Sequence, residues 1–81
     1  MNLQEQLEEL LFENDFRNIK VVEFESGGLL YNCTFLVPQN KQVTEKSMQR
    51  LLNQLDLEVV ELIHGTKAAY LQVCVKDGLN D

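Results

Sequence analysis

Leu29-Leu30-Tyr31-Asn32-Cys33-Thr34-Phe35-Leu36-Val37 runs for nine residues without a charge, follows Gly27-Gly28 and stops at Pro38. Its aromatic and branched side chains read as a strand. The glycines, with Ser26, supply the positive backbone angles of a tight hairpin turn, and a proline ends a ladder because it has no N–H to donate. A second uncharged run, Ala68 to Val75, follows Gly65-Thr66 in the same way. The segments before these turns differ. Arg17 to Phe24 and Leu57 to His64 also alternate like strands, yet Lys20, Glu23, Glu25, Glu58 and Glu61 fall in or beside them.

This contrast orders the sheet. Edge strands carry charges that discourage pairing with other chains, whereas central strands need none. The uncharged runs therefore belong in the middle, giving the order 1-2-4-3. The rival order, 2-1-3-4, leaves two uncharged edges and makes sense only if they pair with another chain.

Two helical segments flank the strands. Leu3, Leu7, Leu10 and Leu11 recur at spacings of three and four, one apolar stripe on a helix. Asn2 and Glu5 fit a capping box at its start. Thr44 is a good cap for a second helix bearing Met48, Leu51, Leu52 and Leu55, and Val43 with Met48 has the spacing of a hydrophobic staple. The fold class predicted is α+β: a two-layer sandwich, with a four-stranded antiparallel sheet under two helices on one face.

The plan is written twice. Val21-Val22-Glu23-Phe24 matches Val59-Val60-Glu61-Leu62 at a shift of 38 residues, which also carries Gly27 onto Gly65 and Phe35 onto Val73. A tandem αββ-αββ pseudo-repeat is expected within a single domain: one unit over 1–38, the other over 43–76, and a polar tail at 77–81.

Strand parity divides the sheet residues between two faces. Tyr31, Cys33, Phe35, Val37, Ala69, Leu71, Val73 and Val75, with Val22, Phe24, Val60 and Leu62, form the expected inner layer. The other face is left with Ile19, Val21, Leu30, Leu36, Val59, Ile63, Tyr70 and Cys74, and only Glu23 and Glu61 there are charged. A solvated sheet face is normally polar at alternate positions. A contiguous apolar patch marks an interface, so these eight residues are the candidate interface.

Composition narrows the partners. The 81 residues include thirteen acids and seven bases, a net charge of −6, and 44% are hydrophobic. Arg17, Lys20, Lys41, Lys46, Arg50, Lys67 and Lys76 are scattered singly, so no basic stripe offers itself to phosphates. Direct nucleic-acid binding and docking on an anionic membrane are not expected. Glu5, Glu8, Glu9 and Glu13 make one acidic helix face, able to receive a basic partner. No run is long enough to span a membrane, and Met1 to Leu10 lacks the basic region of a secretory signal, so a cytoplasmic location is expected.

No catalytic set emerges. His64 is the sole histidine and sits at a turn, and the two cysteines are too far apart in sequence to form a zinc-ligand pair. By parity Cys33 and Cys74 lie on opposite faces and should not bridge. Glu23 and Glu61 could share a proton or hold a cation only as neighbours, which the order 1-2-4-3 forbids. Asn32-Cys33-Thr34 matches a glycosylation sequon by chance if no signal precedes it. No catalytic residue, cofactor or metal is assigned.

The reading that follows is a small acidic cytoplasmic interaction module, of adaptor or inhibitor type and not an enzyme, forming a homodimer through the outer sheet face. One alternative is a small-molecule-binding or enzymatic domain with a site at a dimer interface around Tyr70, Gln72 and Cys74. Another is an acidic decoy for a nucleic-acid-binding protein.

Overall fold

Capping and turn chemistry set the element boundaries in the computed structural model, which describes residues 1–24 and 27–76. Helix α1 spans Leu3–Glu13. Its cap is reciprocal: Asn2 Oδ1 accepts from the Glu5 N–H at 2.8 Å, and Glu5 Oε1 accepts from the Asn2 N–H at 3.3 Å. Helix α2, Glu45–Leu52, begins with the same device built from Thr44 and Ser47. A 3-10 turn, Asn53–Leu55, prolongs it until Asp56 takes a left-handed conformation (φ 56°) and releases the chain into the next strand.

The strands are β1 (Arg17–Glu23), β2 (Leu30–Leu36), β3 (Leu57–His64) and β4 (Ala68–Val75). They form one antiparallel sheet in the order β1-β2-β4-β3, with the uncharged strands central as predicted. Of the β1–β2 turn, Gly27 and Gly28 are at positive φ (118° and 70°). A Cβ on Gly28 would also stand 3.3 Å from the Tyr31 hydroxyl, so this position requires glycine. Glu25, Ser26 and the tail at 77–81 lie outside the described residues.

Helix α1 lies over β1 and α2 over β3, and one cluster of buried side chains joins helices to sheet. Leu7, Leu11, Met48 and Leu52 reach down to Tyr31, Cys33, Phe35, Leu71 and Val73. Val37, Val75 and Leu62 pack against this cluster. Each fully buried leucine or phenylalanine stabilises by about 1.5–3 kcal/mol. Phe16, between α1 and β1, is central: it is fully buried, its ring 4.6 Å from that of Phe35.

The element order α-β-β occurs twice. Cys33 and Leu71, equivalent at the 38-residue shift, face each other at the middle of the β2–β4 ladder. The edge ladders differ in register: Val21 stands opposite Cys33, whereas Val59 stands opposite Val73. Across the bulge between Val59 and Glu61 the register changes by one more residue, with Leu62 opposite Leu71.

Bulges also correct the inner and outer assignment. In β1 the parity is the reverse of that expected. Val21 pairs with inward-facing Cys33 and is 4% exposed, and Ile19 packs on the core. Val22 instead pairs with Asn32 and is 46% exposed, and Phe24 beyond it is exposed as well. An irregularity between Arg17 and Lys20, where Asn18 adopts φ 53°, resets the alternation as the chain leaves the buried Phe16. In β3 the bulge inverts only the part before it. Val59 faces the core and Val60 is half-exposed, while Leu62 and Ile63 keep their predicted sides.

Candidate interaction surface

The outer sheet face is built as rungs crossing β1, β2, β4 and β3. One rung is Lys20, Thr34, Tyr70 and Ile63; the next is Val22, Asn32, Gln72 and Glu61. Beyond them, Leu30, Cys74 and Glu58 align on one side and Leu36 with Ala68 on the other. Val22, Leu36 and Ile63 are large apolar side chains open to solvent, and half-exposed Val60 adds another at the β3 edge. At the centre, Gln72 Nε2 donates to Asn32 Oδ1 at 3.0 Å. This bond links the two amides across the β2–β4 ladder and lowers part of the cost of covering them.

Of the eight residues expected on this face, Leu30, Leu36, Ile63 and Tyr70 are present and accessible. Ile19, Val21 and Val59 are not, because they face the helices. Cys74 occupies an outward register position, yet it is only 2% exposed and offers no contact area. Val22, Phe24 and Val60, expected in the core, are exposed instead. An alternation rule cannot find them, since one extra residue in a strand exchanges its faces.

Both free sheet edges are closed by a helix glutamine. Gln49 of α2 donates from Nε2 to the Leu57 carbonyl at 3.0 Å and accepts the Val59 N–H on Oε1 at 2.9 Å. The Asp56 carbonyl, one residue earlier, accepts from Lys76. Leu57 and Val59 therefore address the side of β3 away from β4, and the amide fills the place of a fifth strand. On the opposite edge, Gln4 Nε2 donates to the Val21 carbonyl at 2.8 Å. Association by edge pairing is blocked at these points.

The acidic residues of α1 are only partly gathered. Glu5, Glu8 and Glu9 border a cleft of about 520 Å³ against Phe12, Arg17 and Ile19, and Glu13 lies outside it. Arg17 turns away from the outer face. Its guanidinium donates to the carbonyls of Phe12 and Phe16 and stacks on the Phe12 ring at 4.6 Å, a cation at a helix C-terminus where the dipole favours one.

The remaining candidates stay apart. Cys33 and Cys74 are free thiols on opposite faces. Burial, reinforced by Glu8, pushes the Cys33 thiol up to about 12; burial and Glu58 raise that of Cys74. Both shifts disfavour the thiolate that reactivity requires. Desolvation and Glu23 raise the Tyr31 hydroxyl. The exposed His64 ring meets the Gly65 carbonyl through Nδ1 at the end of β3. Glu23 and Glu61 occupy opposite edges, and Glu23 Oε1 accepts the Gly28 N–H at 2.6 Å. Among the described residues, no three His, Cys, Asp or Glu side chains converge on a metal-sized space. No described helix is long and apolar enough to cross a membrane. Comparison of the chain with protein-family models, curated proteins and solved structures gives no match.

Proposed function

We propose that this protein is a non-catalytic interaction module of adaptor or inhibitor type, working in the cytoplasm and pairing with a second copy through its outer sheet face. The observation that carries the reading is the set of solvent-open Val22, Leu36 and Ile63 around the hydrogen-bonded Asn32–Gln72 pair. Charge placement supports a second copy. Lys20 sits on the β1 side of the face, and Glu58 and Glu61 on the β3 side. A two-fold axis along the strands lays β1 of one copy over β3 of the other, so each Lys20 comes one rung from a glutamate. Two sheets stacked in this way sit about 10 Å apart with their side chains interleaved.

Size sets the strength. Four strands at about 4.8 Å spacing, each seven residues at about 3.4 Å, give a footprint of roughly 450 Å². Stable specific pairs bury about 800 Å² of accessible surface on each side. The face is smaller than those of stable pairs, and a weak association is expected.

Sedimentation equilibrium from low micromolar to submillimolar concentration tests this. The wild type should show a reversible monomer–dimer equilibrium that Leu36→Glu and Ile63→Glu abolish while circular dichroism stays unchanged. A wild type that remains monomeric throughout, or folded variants that dimerise as well as it does, would sink the reading.

A further inference from the structure

On the helical side of the molecule, away from the outer sheet face, a cleft of about 260 Å³ opens between the end of α1 and the start of α2. Partly exposed Leu51 supplies its accessible apolar wall, with Phe16 and Met48 buried beneath the floor, and Lys41 and Arg50 border it. No carboxylate lines it, although the chain carries thirteen acids against seven bases.

Lys41 is held in place by neutral groups. Its Nζ donates to the Asn14 carbonyl at 2.6 Å and rests 4.9 Å from the centroid of the Phe16 ring. Neither contact cancels its charge, and an ammonium has two further N–H donors to offer. Arg50 is exposed in the last turn of α2 and, among the described residues, makes no ion pair. An apolar recess with a fixed cation and a free guanidinium at its mouth favours one ligand chemistry, since cations bind carboxylates by short charge-assisted hydrogen bonds.

We propose that this cleft binds a small organic carboxylate with an apolar body. The carboxylate lies between Lys41 and Arg50, and the hydrocarbon part covers Leu51 over the floor formed by buried Phe16 and Met48. A cleft of about 260 Å³ suits a short-chain acid of this kind.

Hexanoate is the probe, followed by ¹H–¹⁵N spectra of the labelled full chain. Saturable shifts are expected at Asn14, Gln42, Ser47 and Gln54. Acetate, which lacks the apolar body, and hexan-1-ol, which lacks the charge, should each bind at least about tenfold more weakly. Arg50→Glu should weaken hexanoate by a similar factor. Because Arg50 is exposed and holds no other group, that variant keeps the fold even if Lys41→Gln does not. Absence of saturable shifts at tens of millimolar hexanoate would overturn the assignment. So would equal binding of hexan-1-ol, shifts centred on another part of the surface, or an Arg50→Glu variant that binds as the wild type does. None of these outcomes bears on the sheet-face dimer.

Discussion

Replacing Gln49 by alanine removes two hydrogen bonds that close the β3 edge, one to the Leu57 carbonyl and one from the Val59 N–H. Each intramolecular bond of this kind contributes about 0.5–1.5 kcal/mol, and both are part-buried. Alanine is a better helix former than glutamine by a few tenths of a kcal/mol at most. The expected net loss is therefore about 1–2 kcal/mol, or a fall in Tm of roughly 5–15 °C for a domain of this size. Gln49→Glu separates the two bonds. A carboxylate still accepts the Val59 N–H but sets an oxygen against the Leu57 carbonyl, so at neutral pH it should be no more stable than the alanine variant. Urea unfolding followed by circular dichroism measures both, with the slope confirming that the folded state is otherwise intact. If Gln49→Ala lies within about 0.3 kcal/mol of wild type, the amide does not hold the edge and the account of β3 is wrong.

Further outcomes follow from the same geometry. Val21→Ala should cost about 1–2 kcal/mol and Val22→Ala under about 0.5 in urea melts, because only Val21 faces the core; equal losses would refute the reversed parity of β1. Phe16→Ala should remove about 3–5 kcal/mol, enough to leave much of the chain unfolded at 37 °C by calorimetry. Cys33 and Cys74 should resist iodoacetamide in the folded state at pH 8 and react once urea unfolds the chain. The folded Cys33 thiol titrates at about 12, above its unfolded value. Its contribution is therefore fully present below the unfolded value near pH 9 and is lost as pH rises through about 12. Cys33→Ser should flatten that alkaline loss.

Much of the architecture was legible because separate signals agreed. The absence of charge from residues 29–37 and 68–75 fixed strand order, since edge and centre have different needs. Asn2 with Glu5, and Thr44, marked where the helices begin. The proposed interaction face was legible in the central strands, where Leu30, Leu36 and Tyr70 fell where alternation put them, and at Ile63 of β3. In β1 and β3, alternation failed at the irregularity near Asn18 and the bulge at Val60, each of which shifts all residues on one side of it. Phe16 escaped because a buried aromatic between a helix and a strand obeys neither period. Nothing local marks Gln4 and Gln49, whose work depends on strands 17 and 8–10 residues away in sequence.

The capped edges also decide what kind of assembly this molecule can enter. A sheet with open sides extends indefinitely, one strand at a time, and its product has no defined size. Here α1 and α2 cover one face and their glutamines obstruct both flanks at Val21, Leu57 and Val59, which leaves the outer face as the surface proposed for pairing. On the proposed pairing, growth through the outer face would end after one addition, giving a closed pair of fixed stoichiometry whose number, and not size, follows concentration.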